Sequence, residues 1–225
     1  MSRDRAIAEL AARQHWVASC RQLLALGLTA RQIGAWADRG RLHRVHGGVY
    51  AVGHAALGPR GRWLAAVLRG GPGAVLSHRS AGALWGVVAQ HSGPIDVTVG
   101  SGKAPPDGVR FHRLPLAADE RDSVEGIPVT GPGRTLCDLA SVLGRPAVAR
   151  ALREAEIQRL GGPVSMSDVL ARYPRRHGSA TARAVLAGQA EPVGVTRNDF
   201  EADFLALIEA AGLPRQRVNP VLHIG

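Results

Sequence analysis

The 225-residue chain is 45% hydrophobic with a formal net charge of +10, a balance that fits a folded globular protein of one to two domains rather than a disordered chain. No uninterrupted apolar run approaches a membrane span, the start MSRDRAIAEL has no apolar core of signal-peptide length, and Cys20 and Cys137 match no metal or redox spacing, so a soluble cytoplasmic protein with reduced thiols is expected, with no disulfide scaffold. The positive charge favours a polyanionic partner such as nucleic acid, although Lys103 is the only lysine and a general arginine bias would give the same sum.

In chain order, Ile7, Leu10 and Ala11 fall at helical spacing and predict a first helix over residues 2–15. Ser19 is placed to cap a second helix that turns Leu23 and Leu24 inward, with Gly27 ending it. Thr29 caps a third, in which Ile33, Trp36 and Ala37 form the buried face and Arg31, Gln32, Ala35, Asp38 and Arg39 lie at or near the outer one. Gly40 closes it. The segments LHRVH and VYAV flank Gly47-Gly48, a pair suited to a tight hairpin because both residues can take positive φ. Leu42 and Val45 cannot share a face of a regular strand, so a bulge or a very short first strand is expected.

The stretch from Arg60 to Gly161 reads as mixed α/β. Trp63, Leu64, Val67 and Leu68 predict a helix, GGPGA a loop, and SHRSAGALWGVV a helix started by Ser77. Ile95, Val97 and Val99 alternate with Asp96 and Thr98; Val109 and Phe111 alternate with Arg110 and His112; Ile127 and Val129 suggest a third strand. Helices follow through Leu136, Leu139, Ala140 and Leu143, and from Pro146 toward Leu160. Ser165 and Asp168 have capping-box spacing. A last helix from Thr196 carries Phe200, Phe204, Leu207, Ile208 and Ala211 on one stripe. The fold class expected is α+β, in three parts: a winged helix-turn-helix at 1–58, a mixed α/β domain at 59–161, and a helical linker with an incomplete last segment at 162–225.

The strongest functional signal is a helix-turn-helix followed by a basic ribbon. In such motifs the second helix enters the major groove and the wing lies along the backbone. From residue 1 to 60, nine arginines oppose Asp4, Glu9 and Asp38. Arg31, Gln32 and Arg39 are assigned to the groove, where Arg and Gln can make paired hydrogen bonds to G and A edges. Arg41, His43, Arg44 and His46 are assigned to the wing, its two histidines exposed. A winged helix used only for protein contact is the competing reading.

The pair His43 and His46 lacks further metal ligands at a recurring spacing. GGPGAVLSHRS lacks the lysine and glycine spacing of a phosphate-binding P-loop, and Ser77, His78 and Ser80 fit no nucleophile pattern, so capping and packing are expected of them. Trp16, Trp36, Trp63 and Trp85 are expected in packed apolar surroundings. No metal, cofactor or enzymatic activity is expected.

Taken together, GLTARQIGAWADRGRLHRVHGGVYAVGH, AVLSHRSAGALWGV, IDVTV and GIPVTGPGRTLCDLA resemble AbiEi-type antitoxin-like proteins over roughly residues 18–160. The resemblance implies a winged helix that binds double-stranded DNA and a transcriptional regulator, a repressor or autoregulator of a type IV toxin-antitoxin operon. It further implies opposition to a cognate toxin without a stable complex, and paired half-sites would suit a homodimer. RNDFEADFLALIEAAGLPRQRVNPVLHIG resembles the start of a domain related to very-short-patch-repair endonucleases, with Glu201 at its helix acid, which implies that 162–225 holds an incomplete restriction-endonuclease-like segment. The acidic strands of that nuclease do not follow, so no cleavage is expected of the chain as written. The alternative is a nuclease or repair protein whose catalytic core lies beyond it.

Overall fold

Residues 3–100 and 104–190 are described by a computed structural model. The chain begins with α1 (Arg3–Arg13), β1 (Val17–Ser19), α2 (Cys20–Ala25), α3 (Ala30–Asp38), β2 (Leu42–His46) and β3 (Val49–Val52). The strands form an antiparallel sheet in the order β1-β3-β2. Two reciprocal caps define α2 and α3: Ser19 with Gln22, and Thr29 with Gln32. Each satisfies backbone donors that a helix start leaves without partners. The expected bulge lies between Arg44 and His46, while Leu42 and Val45 pack on opposite faces of the sheet, as the alternation of a regular strand already dictates. In the turn Gly48 has φ +78°, whereas Gly47 does not take positive φ, so one left-handed residue suffices.

One face of this sheet packs against α1 to α3 through Ile7, Ala18, Leu23, Ile33, Leu42 and Tyr50. Leu24, expected inward, is instead exposed, and so is Trp16, whose ring sits 5.8 Å from that of His54. A six-residue helix has room to bury only part of its apolar set, and Leu23 takes the inward position. The other face of the sheet meets α4 (Pro59–Gly70), where Val17, Val49 and Ala65 form a second small core with Val45, Leu57 and Leu68 against it.

The chain continues through β4 (Val75–Leu76), α5 (His78–Leu84), β5 (Ile95–Val99), β6 (Val109–Arg113), a 3-10 turn (Ala118–Glu120), β7 (Arg121–Val124) and β8 (Ile127–Thr130). The described residues close with α6 (Pro132–Leu139), α7 (Arg145–Ile157), α8 (Met166–Arg172) and α9 (Ser179–Ala190). The five strands run in the order β6-β5-β4-β8-β7; β5 is parallel to β6, β4 is parallel to β8, and the remaining pairs are antiparallel. Trp63, Leu64 and Val67 of α4 join Val97, Val99 and Val129 in the largest core.

Three strands were not anticipated. β1 and β4 are too short to display a period, and β7, RDSV, is a polar edge strand with no apolar alternation to read. Ser77 does stand at the N-cap of α5, but its hydroxyl lies 3.0 Å from His78 Nδ1 and does not cap the helix.

Residues 1–185 form one compact unit; residues 186–225 form another, of which only the end of α9 is described. The expected helix from Thr196, with Glu201, lies outside the described residues.

Candidate nucleic-acid interface

On α3, Ile33 anchors the helix in the core, while Arg31, Gln32, Asp38 and Arg39 are exposed. Arg31 and Arg39 make no side-chain hydrogen bond to another described residue, so both guanidiniums are available. Gln32 is committed differently. Its Oε1 accepts from Thr29 N at 2.9 Å and lies 3.2 Å from Thr29 Oγ1. Paired recognition of adenine uses both ends of an amide, and here the oxygen already holds the start of the helix, leaving the NH2 outward.

The ribbon separates its four assigned residues. Arg44 is exposed and lies over Tyr50, with its guanidinium carbon 5.9 Å from the ring centre. Arg41 turns back toward the helices: Nη2 donates to Asp4 Oδ2 at 2.9 Å and the guanidinium carbon stacks 3.9 Å above Trp36. His43 is opposite Ala51, which in turn is opposite Val17, and His46 is opposite Val49. Directly opposed residues share a sheet face, so both imidazoles lie on the α4 side, half-buried rather than on an exposed wing. Burial, reinforced by the nearby Arg69 charge, pushes the His46 pKa down, which keeps it neutral at pH 7. Sequence alternation could not show this, because it does not reveal that α4 covers the second face.

A polar cluster in the five-stranded sheet was not anticipated. Asp96 and Thr98, which alternation would place outside, are buried, because α5 covers their face while α4 covers the other. Asp96 Oδ1 accepts from His112 Nε2 at 2.8 Å, and the His112 ring stacks on His78 with centroids 3.6 Å apart. Behind them, Arg134 donates Nε–H to Asp138 Oδ1 at 2.9 Å and also pairs with Glu120, with all three side chains fully buried. Arg176 pairs with Asp138, and Arg172 bridges Asp119 and Glu120. The i, i+4 spacing of Arg134 and Asp138 was the available signal, hidden in a segment that reads as an ordinary apolar helix.

Burial drives the His78 pKa down to about 4, despite the opposing Asp138 charge. Ser77 Oγ at 3.0 Å and Asp138 Oδ2 at 3.9 Å both approach the same nitrogen, Nδ1. A Ser-His-Asp relay needs the hydroxyl on one ring nitrogen and the carboxylate on the other, so this trio is not arranged as one. Among the described residues, no group of three His, Cys, Asp or Glu side chains could hold a metal ion, and no helix is long and apolar enough to cross a membrane.

The fold is similar to that in the crystal structure of the RV2827C protein from Mycobacterium tuberculosis, with a TM-score of 0.52 at 21% identity over 84% of this chain and 77% of that one. No curated protein matches the chain in sequence. Residues 5–53, which hold nearly all of α1 and the whole of β1 to β3, match the family described as transcriptional regulator, AbiEi antitoxin.

Proposed function

We propose that residues 1–58 are a winged helix-turn-helix that binds double-stranded DNA, and that the chain is a transcriptional regulator of the type IV antitoxin class, acting as a repressor or autoregulator. The observation that carries this reading is the coincidence of the AbiEi match at 5–53 with a helix-strand-helix-helix-ribbon order, the layout in which a second helix enters the major groove. Arg31 of α3 and Arg39 at its C-cap are the groove donors, helped by the Gln32 NH2. Arg44, on the edge strand β2, reaches phosphate. Arg41 braces α1 against α3, and His43 and His46 belong to the packing between ribbon and α4. Two copies on half-sites one helical turn apart fit such a regulator, and a cognate toxin would be opposed without a lasting complex.

The test is fluorescence anisotropy of a duplex from the protein's own promoter, titrated at several salt concentrations. Each phosphate contact contributes a slope of about −0.9 in log affinity against log salt. Arg44→Ala is expected to make the slope shallower, Arg31→Ala to reduce preference for promoter over random duplex, and Arg41→Ala to change the slope least. Affinity that none of these substitutions alters would overturn the reading.

A further inference from the structure

At the amino ends of β5 and β6 a cleft of about 280 Å³ lies between α4 and α5, walled by Arg62 and Trp63, by Gln90, His91 and Ser92 of the loop that enters β5, and by Ile95. Trp63 is 9% exposed, and its indole N–H has no hydrogen-bond partner among the described residues, yet the nitrogen is not sealed from solvent. A tryptophan packed this deeply usually finds an acceptor for that group. On the facing loop, His91 Nδ1 accepts from Gly93 N at 2.9 Å, so the ring carries its proton on Nε2, which has no partner among the described residues. Gly93 permits this fold-back, because a Cβ there would lie 2.7 Å from His91 Nδ1. Arg62 is exposed and makes no hydrogen bond or ion pair with another described residue. Among the described residues no acidic side chain lines the cleft.

We propose that this cleft binds a small carboxylic acid through its carboxylate. The unspent nitrogens on its walls, those of Arg62, Trp63 and His91, are all donors, and with no acid beside them they favour an anion. A guanidinium presents its N–H groups as a planar fork that matches the two oxygens of a carboxylate, and such charge-assisted bonds are the strong kind. Trp63, Ala83 and Ile95 offer apolar surface to the rest of the molecule, and a cleft of this volume is at the small end of ligand sites, so the body of the acid is small as well. None of these residues belongs to α3 or the ribbon, so the acid adds to the DNA reading and does not depend on it.

The experiment titrates the full chain with benzoate at constant ionic strength and follows the indole N–H signals of Trp16, Trp36, Trp63 and Trp85 by nitrogen-15 magnetic resonance, with Trp63→Phe identifying the signal of interest. The Trp63 signal is expected to move downfield and saturate as its N–H gains an acceptor, while the other three stay in place. Arg62→Gln should weaken benzoate by about tenfold or more, and Gly93→Ala, which displaces the His91 ring, by a smaller factor. Both positions are exposed, and circular dichroism without benzoate confirms that the variants fold. Benzamide, the neutral counterpart, should move the signal far less, and duplex affinity should be the same in wild type, Arg62→Gln and Gly93→Ala. Equal response to benzamide and benzoate would mean that the cleft takes an apolar ring without reading its charge, and would overturn the proposal. So would a shift that does not saturate, or one that persists equally in Arg62→Gln. An Arg62→Gln protein that loses duplex affinity while benzoate leaves the wild-type signal unmoved would also overturn it, because that guanidinium would then serve a DNA backbone.

Discussion

His78 shows how one buried side chain ties stability to pH. It opens α5 with φ +48°, stacks on His112, and faces Asp138, Asp96 and Arg176. Its native pKa of about 4 lies below the ordinary imidazole value of 6.5, so the folded protein holds the neutral ring while the unfolded chain takes up a proton first. The contribution is therefore complete above about pH 6.5 and is lost as pH falls toward 4, amounting to about 3 kcal/mol in all. Urea midpoints at pH 7, 5.5 and 4.5 should fall more steeply for wild type than for His78→Gln; parallel curves would show that this ring does not set the slope. Cys137 is a second residue whose surroundings decide its chemistry. Burial raises its thiol pKa to about 12, and Sγ donates to Met166 O, so a thiol reagent at pH 8 should label half-buried Cys20 first in the native protein, with Cys137 following only on unfolding. Equal labelling of both would count against the packing of α6 on α8.

At the scale of the element, two close fits are exposed to single substitutions. The cap on α3 links stability and recognition, because Thr29 Oγ1 accepts from Gln32 N while Gln32 Oε1 returns the bond. Thr29→Ala should cost about 1 kcal/mol in chemical denaturation and release the Gln32 amide, whereas Thr29→Ser should retain most of the stability. The second fit is between α6 and α8. A Cβ on Gly133 would lie 2.4 Å from Val164 O and 2.6 Å from Ser165 C, backbone atoms that cannot swing aside as a side chain can. Gly133→Ala should destabilise by at least about 2 kcal/mol, visible as a lower Tm; an unchanged Tm would mean that the two helices are not packed this closely. The start of α6 reads in sequence as a loop-to-helix transition, and only the position of the chain around residue 164 explains why a glycine stands there.

At the scale of the molecule, α4 is shared between the two sheets. Ala65 packs with Val17 and Val49 of the first sheet, while Trp63, Leu64 and Val67 pack into the core of the second. The ribbon is thereby backed on one face, and the division expected at residue 58 falls next to a helix that both sides need. Thermal unfolding followed by tryptophan fluorescence and by far-ultraviolet circular dichroism should trace one coincident transition, and Ala65→Leu should lower its midpoint for both probes together. Two separated transitions would mean that the sheets unfold independently.

The residues themselves determined the first three helices, the caps of α2 and α3 and the ribbon, because local spacing, N-cap chemistry and the Gly47-Gly48 turn act within a few positions of one another. They also determined the charge excess and the resemblance to AbiEi antitoxins, which the match over residues 5–53 supports. Tertiary structure decided which polar residues are available. Arg41, though exposed, is drawn against α1 and α3 by Asp4, thirty-seven positions away, and by Trp36, and His43 and His46 are half-buried because α4 lies on their face. Asp96 and Thr98 are buried because helices cover both sides of β5, although their alternation has the form of a half-exposed strand. The buried set of Glu120, Arg134 and Asp138 likewise exists only where a 3-10 turn and α6 meet. A periodic pattern specifies which side chains share a face, but whether that face meets water or another layer depends on chain folded back from far away in sequence.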